Sequence, residues 1–328
     1  MLWLAWRQQR VPLLILGSLL LLALAYFAVW LTAFRSAVPA ECAAFMNPTA
    51  GPPDLVRSMN LTPCQRAIFE FEWAWDPRTS VVAFALLALP AAVGIFIGAP
   101  LVAAEREGGT HAMLWTQGVT RRRWFLTKVG VAIGGSVLFI AILGVSLVLW
   151  LPNNQAPVCC DPPPWELYDV VGVVPAAFAA FAISCGALCG TLTKRTLPAM
   201  AGVLVLFSAI RIVFTGAARP WLMPPIPMES LDGLRPAAGW SMAPTYFLDS
   251  SGNEMSAHEM TQVFAAAPHA SSLTDSMAYL HEHGYHLMFT IQPNDRFWTF
   301  QAIESAVFAV LTGLLVGVTL LVLSKRFE

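Results

Sequence analysis

Histidine and glutamate residues gather between positions 281 and 286, where their side chains have the chemistry to hold a metal ion. Zinc hydrolases carry two histidines four residues apart on a helix, with a glutamate after the first, as H-E-x-x-H. Here His286 follows His281 by five residues, and Gly284 interrupts the predicted helix between them. His258 and Glu259 also lack a second histidine at the required spacing. The spacing favours a solvated polar surface, so we expect no metal ligand and no catalytic residue.

Nucleotide binding would require a glycine-rich phosphate loop of the form G-x-x-x-x-G-K-[ST]. No such pattern occurs in the sequence, and the three lysines, Lys128, Lys194 and Lys325, lack that setting. We therefore expect no cofactor in this chain, and any ATP hydrolysis that serves it must occur in another chain.

The elements that must position any site are strongly apolar. Of the 328 residues, 57% are hydrophobic and 12% are charged, about half the charged fraction of an ordinary soluble domain. A helix needs about 20 mostly apolar residues to cross the hydrocarbon core of a bilayer. Six stretches qualify, at about 11–33, 80–103, 129–151, 170–192, 197–215 and 299–323. The sequence predicts an all-α polytopic membrane protein with six transmembrane helices.

Basic residues indicate the orientation, because Lys and Arg are enriched in cytoplasmic loops. With the N-terminus inside, 11 of the 19 basic residues fall in the short cytoplasmic segments, among them Arg121–Arg123. Both termini are therefore expected in the cytoplasm. The net charge of −1 excludes nucleic acid as a partner, since there is no basic excess to neutralise phosphates.

The longest outer segment, 216–298, contains signals of local structure. Ser256 and Glu259 have the spacing of a capping box, and Ser272-Leu-Thr-Asp275 resembles a second helix start. From Tyr285 apolar and polar residues alternate as in a strand. This predicts a small mixed α/β extracellular insertion between helices 5 and 6. The chain then divides into helices 1–5 (1–215), an extracellular domain (216–298), and helix 6 with its tail (299–328).

Two charged residues, Arg211 and Glu304, lie inside the apolar stretches and are functional candidates for that reason. By helix rise they sit at similar depth, about one turn from the outer end. They can form an ion pair with each other, or one of them can contact a substrate. Alternatively, Arg211 snorkels outward and Glu304 faces water.

Four cysteines, Cys42, Cys64, Cys159 and Cys160, fall in predicted outer segments, where disulfides persist. A bond between the adjacent Cys159 and Cys160 would be strained. Two bridges that join the 34–79 segment to the 152–169 segment are therefore expected, with Cys42–Cys64 alone as the alternative.

The segment from Glu105 to Arg123 is the most informative part of the predicted cytoplasmic face. Thr110 can cap a short helix that Gly118 ends, and Thr120 can cap the third transmembrane helix. The short helix would expose three apolar residues, Met113, Leu114 and Trp115. An exposed apolar helix usually needs a partner surface, although an interfacial helix anchored by its tryptophan is the plainer alternative.

This segment resembles the ABC-2 type permease family, in which Glu-x-x-x-Gly-Thr leads into a coupling helix that docks on a separate ATP-binding subunit. The matching residues are Glu105, Glu107, Gly109, Thr110, Thr120, Arg121 and Lys128. Trp3–Arg10 and Gln292–Trp298, the latter followed by Gln301 and Glu304, are similar to actinobacterial members.

The resemblance implies a bacterial plasma-membrane permease that exports an amphipathic drug, antibiotic, lipid or peptide by alternating access. It implies two ATP-binding subunits, which hold ATP and Mg, and a second permease copy, with a homodimer favoured. The coupling surface (about 105–120) would comprise Glu105, Glu107, Thr110, Met113, Leu114, Trp115, Thr120 and Arg121. A sensor or immunity permease, whose outer domain binds a peptide or lipid, is the alternative, followed by a membrane-bound enzyme.

Overall fold

A computed structural model describes residues 2–39, 42, 63–109, 120–150, 167–230, 239–241, 245–266 and 273–325. Its helices are α1 (Leu2–Ala37), α2 (Pro63–Val93), α3 (Pro100–Glu107), α4 (Arg121–Trp150), α5 (Val174–Thr193), α6 (Thr196–Val213), α7 (Arg219–Leu222), α8 (Ala257–Ala266), α9 (Leu273–Glu282) and α10 (Phe297–Lys325). Its strands are β1 (Ile226–Ser230), β2 (Gly239–Ser241), β3 (Tyr246–Leu248) and β4 (His286–Pro293). Two π-helical turns, Gly94–Gly98 and Phe214–Ala218, join α2 to α3 and α6 to α7.

Six helices of the described chain are long and apolar enough to cross a membrane, as the sequence predicts. In order, the spans are Trp6–Ala37, Pro77–Glu107, Arg121–Val148, Val174–Thr193, Thr196–Leu222 and Asn294–Lys325. The third begins at Arg121 instead of about 129, and the fifth continues to Leu222 instead of ending at about 215. We call the end of the bundle that holds Gly109, Thr120 and Lys194 the short-loop end, and the opposite end the insertion end.

The fourth span is the centre of the bundle. Its apolar stretch is 72% buried, against 17–33% for the other five spans. Two glycine pairs with GxxxG spacing, Gly94 and Gly98 on the second span and Gly186 and Gly190 on the fourth, bring these helices into backbone contact. A Cβ added at Gly98 would lie 2.7 Å from the Ile183 Cα. Glycine is therefore required for the spans to approach this closely.

Replacing Gly186 by Val is expected to lower the free energy of unfolding by about 3 kcal/mol or more, since the added carbons meet backbone and not a movable side chain. An added Cβ at Gly186 would overlap the main chain at Gly98 and Ala99. Gly317→Val is the matched control, because nothing lies within 4 Å of a Cβ at Gly317. Thermal unfolding of the purified protein in detergent measures both. Equal midpoints for the two variants would contradict the tight contact.

The insertion between the fifth and sixth spans contains a sheet in which β4 pairs antiparallel with β1, β2 and β3. One face of β4 is buried through Leu287, Phe289 and Ile291, on which α9 packs Met277 and Leu280. Helix α8 begins after a capping box: the Ser256 amide and hydroxyl both donate to Glu259 Oε2 at 2.7 Å. The insertion thus has a small apolar core of its own.

A disulfide, Cys42–Cys64, joins the segment after α1 to the start of α2 at the insertion end, with its Cα atoms 5.4 Å apart. The expectation that both cysteines bridge to the 152–169 segment is therefore wrong. Trp30 and Phe34 of α1 pack against Phe71 of α2, and this contact brings the two cysteines together. Cys159 and Cys160 lie outside the described residues.

Candidate functional site

Four charged side chains meet inside the bundle at the insertion end, and we call them the ion cluster: Asp169, Arg211, Arg219 and Glu304. Asp169 precedes the fourth span, the arginines belong to the fifth, and Glu304 belongs to the sixth. Two positive and two negative groups give the ion cluster no formal net charge. The ion cluster therefore ties the fifth and sixth spans to the segment that leads into the fourth.

Arg219 is the centre of the ion cluster. Its Nη2 donates to Asp169 Oδ1 at 2.5 Å and to Glu304 Oε1 at 2.8 Å, and its Nε donates to Glu304 Oε2 at 3.2 Å. Arg211 is held less tightly, with Nη2 3.1 Å from Asp169 Oδ1 and Nη1 3.6 Å from Glu304 Oε1. The carboxylate of Glu304 thus receives a two-point contact that fixes its plane.

Aromatic rings enclose the cations. The Arg211 guanidinium lies 3.7 Å from the centre of the Phe178 ring, and that of Arg219 lies 4.8 Å from the Tyr168 ring and 5.7 Å from the Trp240 ring. Trp240 comes from β2, so the insertion itself covers the ion cluster. The relative exposure of Glu304 is 0% and that of Arg219 is 2%. Water is therefore largely excluded, and each charge depends on its protein partners.

Asp169 lies outside the spans and has a pKa below its ordinary value. Burial alone would raise that pKa, but the positive charges of Arg219 and Arg211 and their hydrogen bonds lower it by more. Asp169 is therefore expected to be ionised at neutral pH.

A glutamine one turn before Glu304 fixes the segment that leads into the fourth span. Gln301 is fully buried; its Oε1 accepts hydrogen bonds from the Val173 and Val174 amides, both at 2.9 Å. Its Nε2 donates to the Val171 carbonyl at 3.2 Å. Glu304 and Gln301 lie one turn apart on the sixth span. Glu304 binds arginines of the fifth span, and Gln301 binds the backbone of the segment that leads into the fourth.

The π-helical turn Phe214–Ala218 explains how both arginines reach one site. Two turns of α-helix take about 7.2 residues, and a π-turn inserts about one more. Arg211 and Arg219 are eight residues apart, so the inserted residue places them on the same face of the fifth span. Sequence analysis identified Arg211 and Glu304 but assigned Arg219 to the outer segment and did not single out Asp169.

At the short-loop end, a second group of contacts, which we call the helix clamp, holds the end of the second span. Glu105 Oε1 accepts from Lys128 Nζ of the third span at 2.6 Å and from Gln8 Nε2 at 2.8 Å. Arg106 Nη1 donates to the Thr191 carbonyl of the fourth span at 2.5 Å.

Glu107 completes the helix clamp. Its Oε2 accepts from the Thr196 amide at 3.0 Å and from the Thr196 hydroxyl at 2.8 Å, so it caps the first turn of the fifth span from another helix. Three consecutive residues thus contact the third, fourth and fifth spans in turn.

The other predicted coupling residues follow the helix clamp in the chain. Thr120 precedes α4, with its hydroxyl 3.4 Å from the Arg123 amide, and Arg121 is the first residue of that helix. Thr110, Met113, Leu114 and Trp115 lie outside the described residues. The helix clamp and Thr120 therefore define the two ends of the predicted coupling segment.

Six apolar helices with charged groups buried between them define a multi-pass membrane protein. Residues 21–219 match the family described as ABC-2 membrane transporter related, and the chain belongs to this family. Comparison with curated proteins and with solved structures gives no match. The matched range includes Glu105, Arg106 and Glu107 of the helix clamp and both arginines of the ion cluster. Membership of the family supports a transporter permease and implies an ATP-binding subunit as partner.

Proposed function

We propose that this chain is the membrane permease of an ATP-binding cassette exporter that moves an amphipathic substrate by alternating access. The short-loop end faces the cytoplasm with both termini, and the insertion faces outward. Two permeases, preferably identical, enclose the pathway, and two separate subunits bind ATP and Mg. The charge distribution of the loops supports this orientation.

The helix clamp is the observation that carries the proposal. The predicted coupling segment begins where Glu105, Arg106 and Glu107 contact three different spans. A displacement of that segment by the closing ATP-binding subunits therefore acts on several helices at once. Rigid-body movement of packed helices is an established way to transmit such a displacement.

An apolar cavity of about 250 Å³ between the first, second and third spans supports an amphipathic substrate. Leucine, valine and alanine residues line it, together with Tyr26, whose hydroxyl bonds to that of Thr79. A surface of this kind accommodates an apolar chain and offers a polar contact at one place.

Purification from native membranes in mild detergent tests the division of labour. We expect a soluble P-loop protein in stoichiometric amount, and ATP-dependent uptake of labelled amphipathic compounds into inverted membrane vesicles. Recovery of the chain without such a companion would contradict the proposal.

A sensing or immunity permease is the second candidate, and the folded insertion favours it. The insertion has its own core around Leu280, Phe289 and Ile291, as a ligand-binding domain would. Peptide or lipid binding to the insertion without any ATP-dependent uptake would select this alternative.

Glu107→Ala is expected to reduce transport severalfold without unfolding the chain. The side chain is exposed, and loss of a helix cap costs about 1 kcal/mol, so the purified protein should remain folded. The fifth span, however, loses its connection to the coupling segment. The measurement is substrate uptake per ATP hydrolysed in inverted vesicles.

Two further variants check this assignment. Thr196→Ala keeps the backbone amide that donates to Glu107 and should give a weaker defect of the same kind. Glu254→Ala removes an exposed acid of the insertion and should transport normally. Unchanged uptake by Glu107→Ala would remove the helix clamp from the mechanism.

A further inference from the structure

Three side chains of the insertion converge on one point although they are distant in sequence. Glu229 lies on β1, His281 in the last turn of α9, and His286 at the start of β4. The two Nδ1 atoms lie 3.1 Å (His281) and 2.6 Å (His286) from the same oxygen, Glu229 Oε1. One ligand atom from each residue lies within 4.8 Å of the other two.

The fold holds these residues in place. Helix α9 ends in a Schellman turn: the Tyr285 amide donates to the Leu280 carbonyl, and the Gly284 amide donates to that of His281. Gly284 has φ 80°, the left-handed conformation this turn requires. The chain therefore reverses between His281 and His286 and brings both imidazoles to one side.

Strand pairing supplies the third side chain. Glu229 is opposite Met288 in the β1–β4 register. His286 is two residues before Met288 and therefore lies on the same face of the sheet. Diagonal neighbours of this kind are within reach of long side chains. Packing of Leu280 against the sheet core then fixes the height of His281 above the strands.

We propose that Glu229, His281 and His286 form a binding site for a divalent transition-metal ion such as Zn²⁺. Two imidazole nitrogens and one carboxylate oxygen are a donor set that zinc accepts, with metal–ligand distances near 2.0–2.1 Å. Tetrahedral geometry then separates donor atoms by about 3.3 Å. The two nitrogen–oxygen distances here, 3.1 Å and 2.6 Å, are shorter, so the side chains must separate slightly to admit the ion. All three side chains are partly exposed, between 35% and 46%, which leaves a fourth position for water or a donor group of a bound ligand.

This proposal revises the sequence expectation of no metal ligand and is independent of the proposed transport function. The H-E-x-x-H criterion considers only ligands on one helix, whereas the carboxylate here comes from a strand 52 residues away from His281. His283, which lies between the two histidines, takes no part: its Nδ1 is 2.7 Å from the Tyr279 carbonyl oxygen.

Titration of the purified, chelator-treated full-length protein with ZnCl₂ tests the site. We expect saturable uptake of one zinc ion per chain, measured by calorimetry and by elemental analysis after gel filtration. His281→Ala and His286→Ala should each weaken binding by about 100-fold or more, since loss of even an outer contact to a metal ligand costs 10–100-fold. Glu229→Gln keeps the size of the side chain but removes its charge, and it should also bind less tightly.

His283→Ala is the matched control, because it removes an exposed histidine beside the site and should leave zinc affinity unchanged. Zinc should also raise the unfolding midpoint of the wild type and not that of His286→Ala, because a ligand stabilises only the state that binds it. Absence of stoichiometric uptake, or equal affinity in wild type, His281→Ala and His286→Ala, would overturn the proposal. The three residues would then be a hydrogen-bonded surface group.

Discussion

Glu304→Gln is expected to lower the free energy of unfolding by about 3–5 kcal/mol, the usual cost of removing one partner from a buried ion pair. Glutamine has nearly the same size, so the change removes charge and leaves packing intact. Arg211 and Arg219 would then have only Asp169 as a counter-charge among the members of the ion cluster. Denaturant unfolding of the purified protein in mixed micelles measures the difference.

A double variant distinguishes the loss of a counter-charge from destabilisation that any substitution in the ion cluster would cause. Adding Arg211→Gln to Glu304→Gln restores neutrality, with Asp169 and Arg219 still 2.5 Å apart. The double variant should therefore be less destabilised than the sum of the two single changes. Glu254→Gln, at an exposed acid of the insertion, should stay within about 0.5 kcal/mol of wild type. A similarly small effect of Glu304→Gln would mean that the ion cluster does not hold the fifth and sixth spans to the segment before the fourth.

The fifth span connects the ion cluster to the helix clamp. Thr196 donates hydrogen bonds to Glu107 at one end, and Arg219 binds Asp169 and Glu304 at the other. A helix of 27 residues is about 40 Å long, enough to cross the bilayer. In the mechanism we propose, a tilt of this helix at the short-loop end strains the ion cluster and so carries the displacement across the membrane.

The sequence was sufficient for the six spans because apolar runs of this length have few other uses in proteins. Alternation from Tyr285 likewise indicated β4, and the capping box indicated α8. These features depend on residues close together in the chain. Burial of one face of the strand produces the alternation in β4, and hydrogen bonding of the first helical amides produces the capping box of α8. Both causes act between residues that are close in sequence.

Arg219 could not be assigned to a helix from hydropathy, because Arg219 and Pro220 end the apolar run. The helix continues through the π-turn because the guanidinium binds two carboxylates from elsewhere in the chain: Asp169, in the turn before the fourth span, and Glu304, on the sixth. A hydropathy scale scores every charged residue as unfavourable in a membrane helix, and it does not take account of ion-pair partners on other segments. Glu229 was missed for the same reason, and the Cys42–Cys64 pairing stood only as the alternative to two bridges, since tertiary contacts decide which distant residues meet.

Polar replacement of Met113, Leu114 and Trp115 together is expected to abolish co-purification of the ATP-binding subunit. The three residues belong to the predicted coupling helix, and an apolar contact surface loses its driving force when its side chains become polar. The purified permease should unfold at the wild-type midpoint, because the spans and the helix clamp are unchanged. Trp221→Ser is the matched control: this tryptophan is 88% exposed at the insertion end, and its loss should leave the complex intact. If the ATP-binding subunit stayed with the triple variant, docking would have to rely on other residues of the short-loop end, with Glu107 and Arg121 as the next positions to replace.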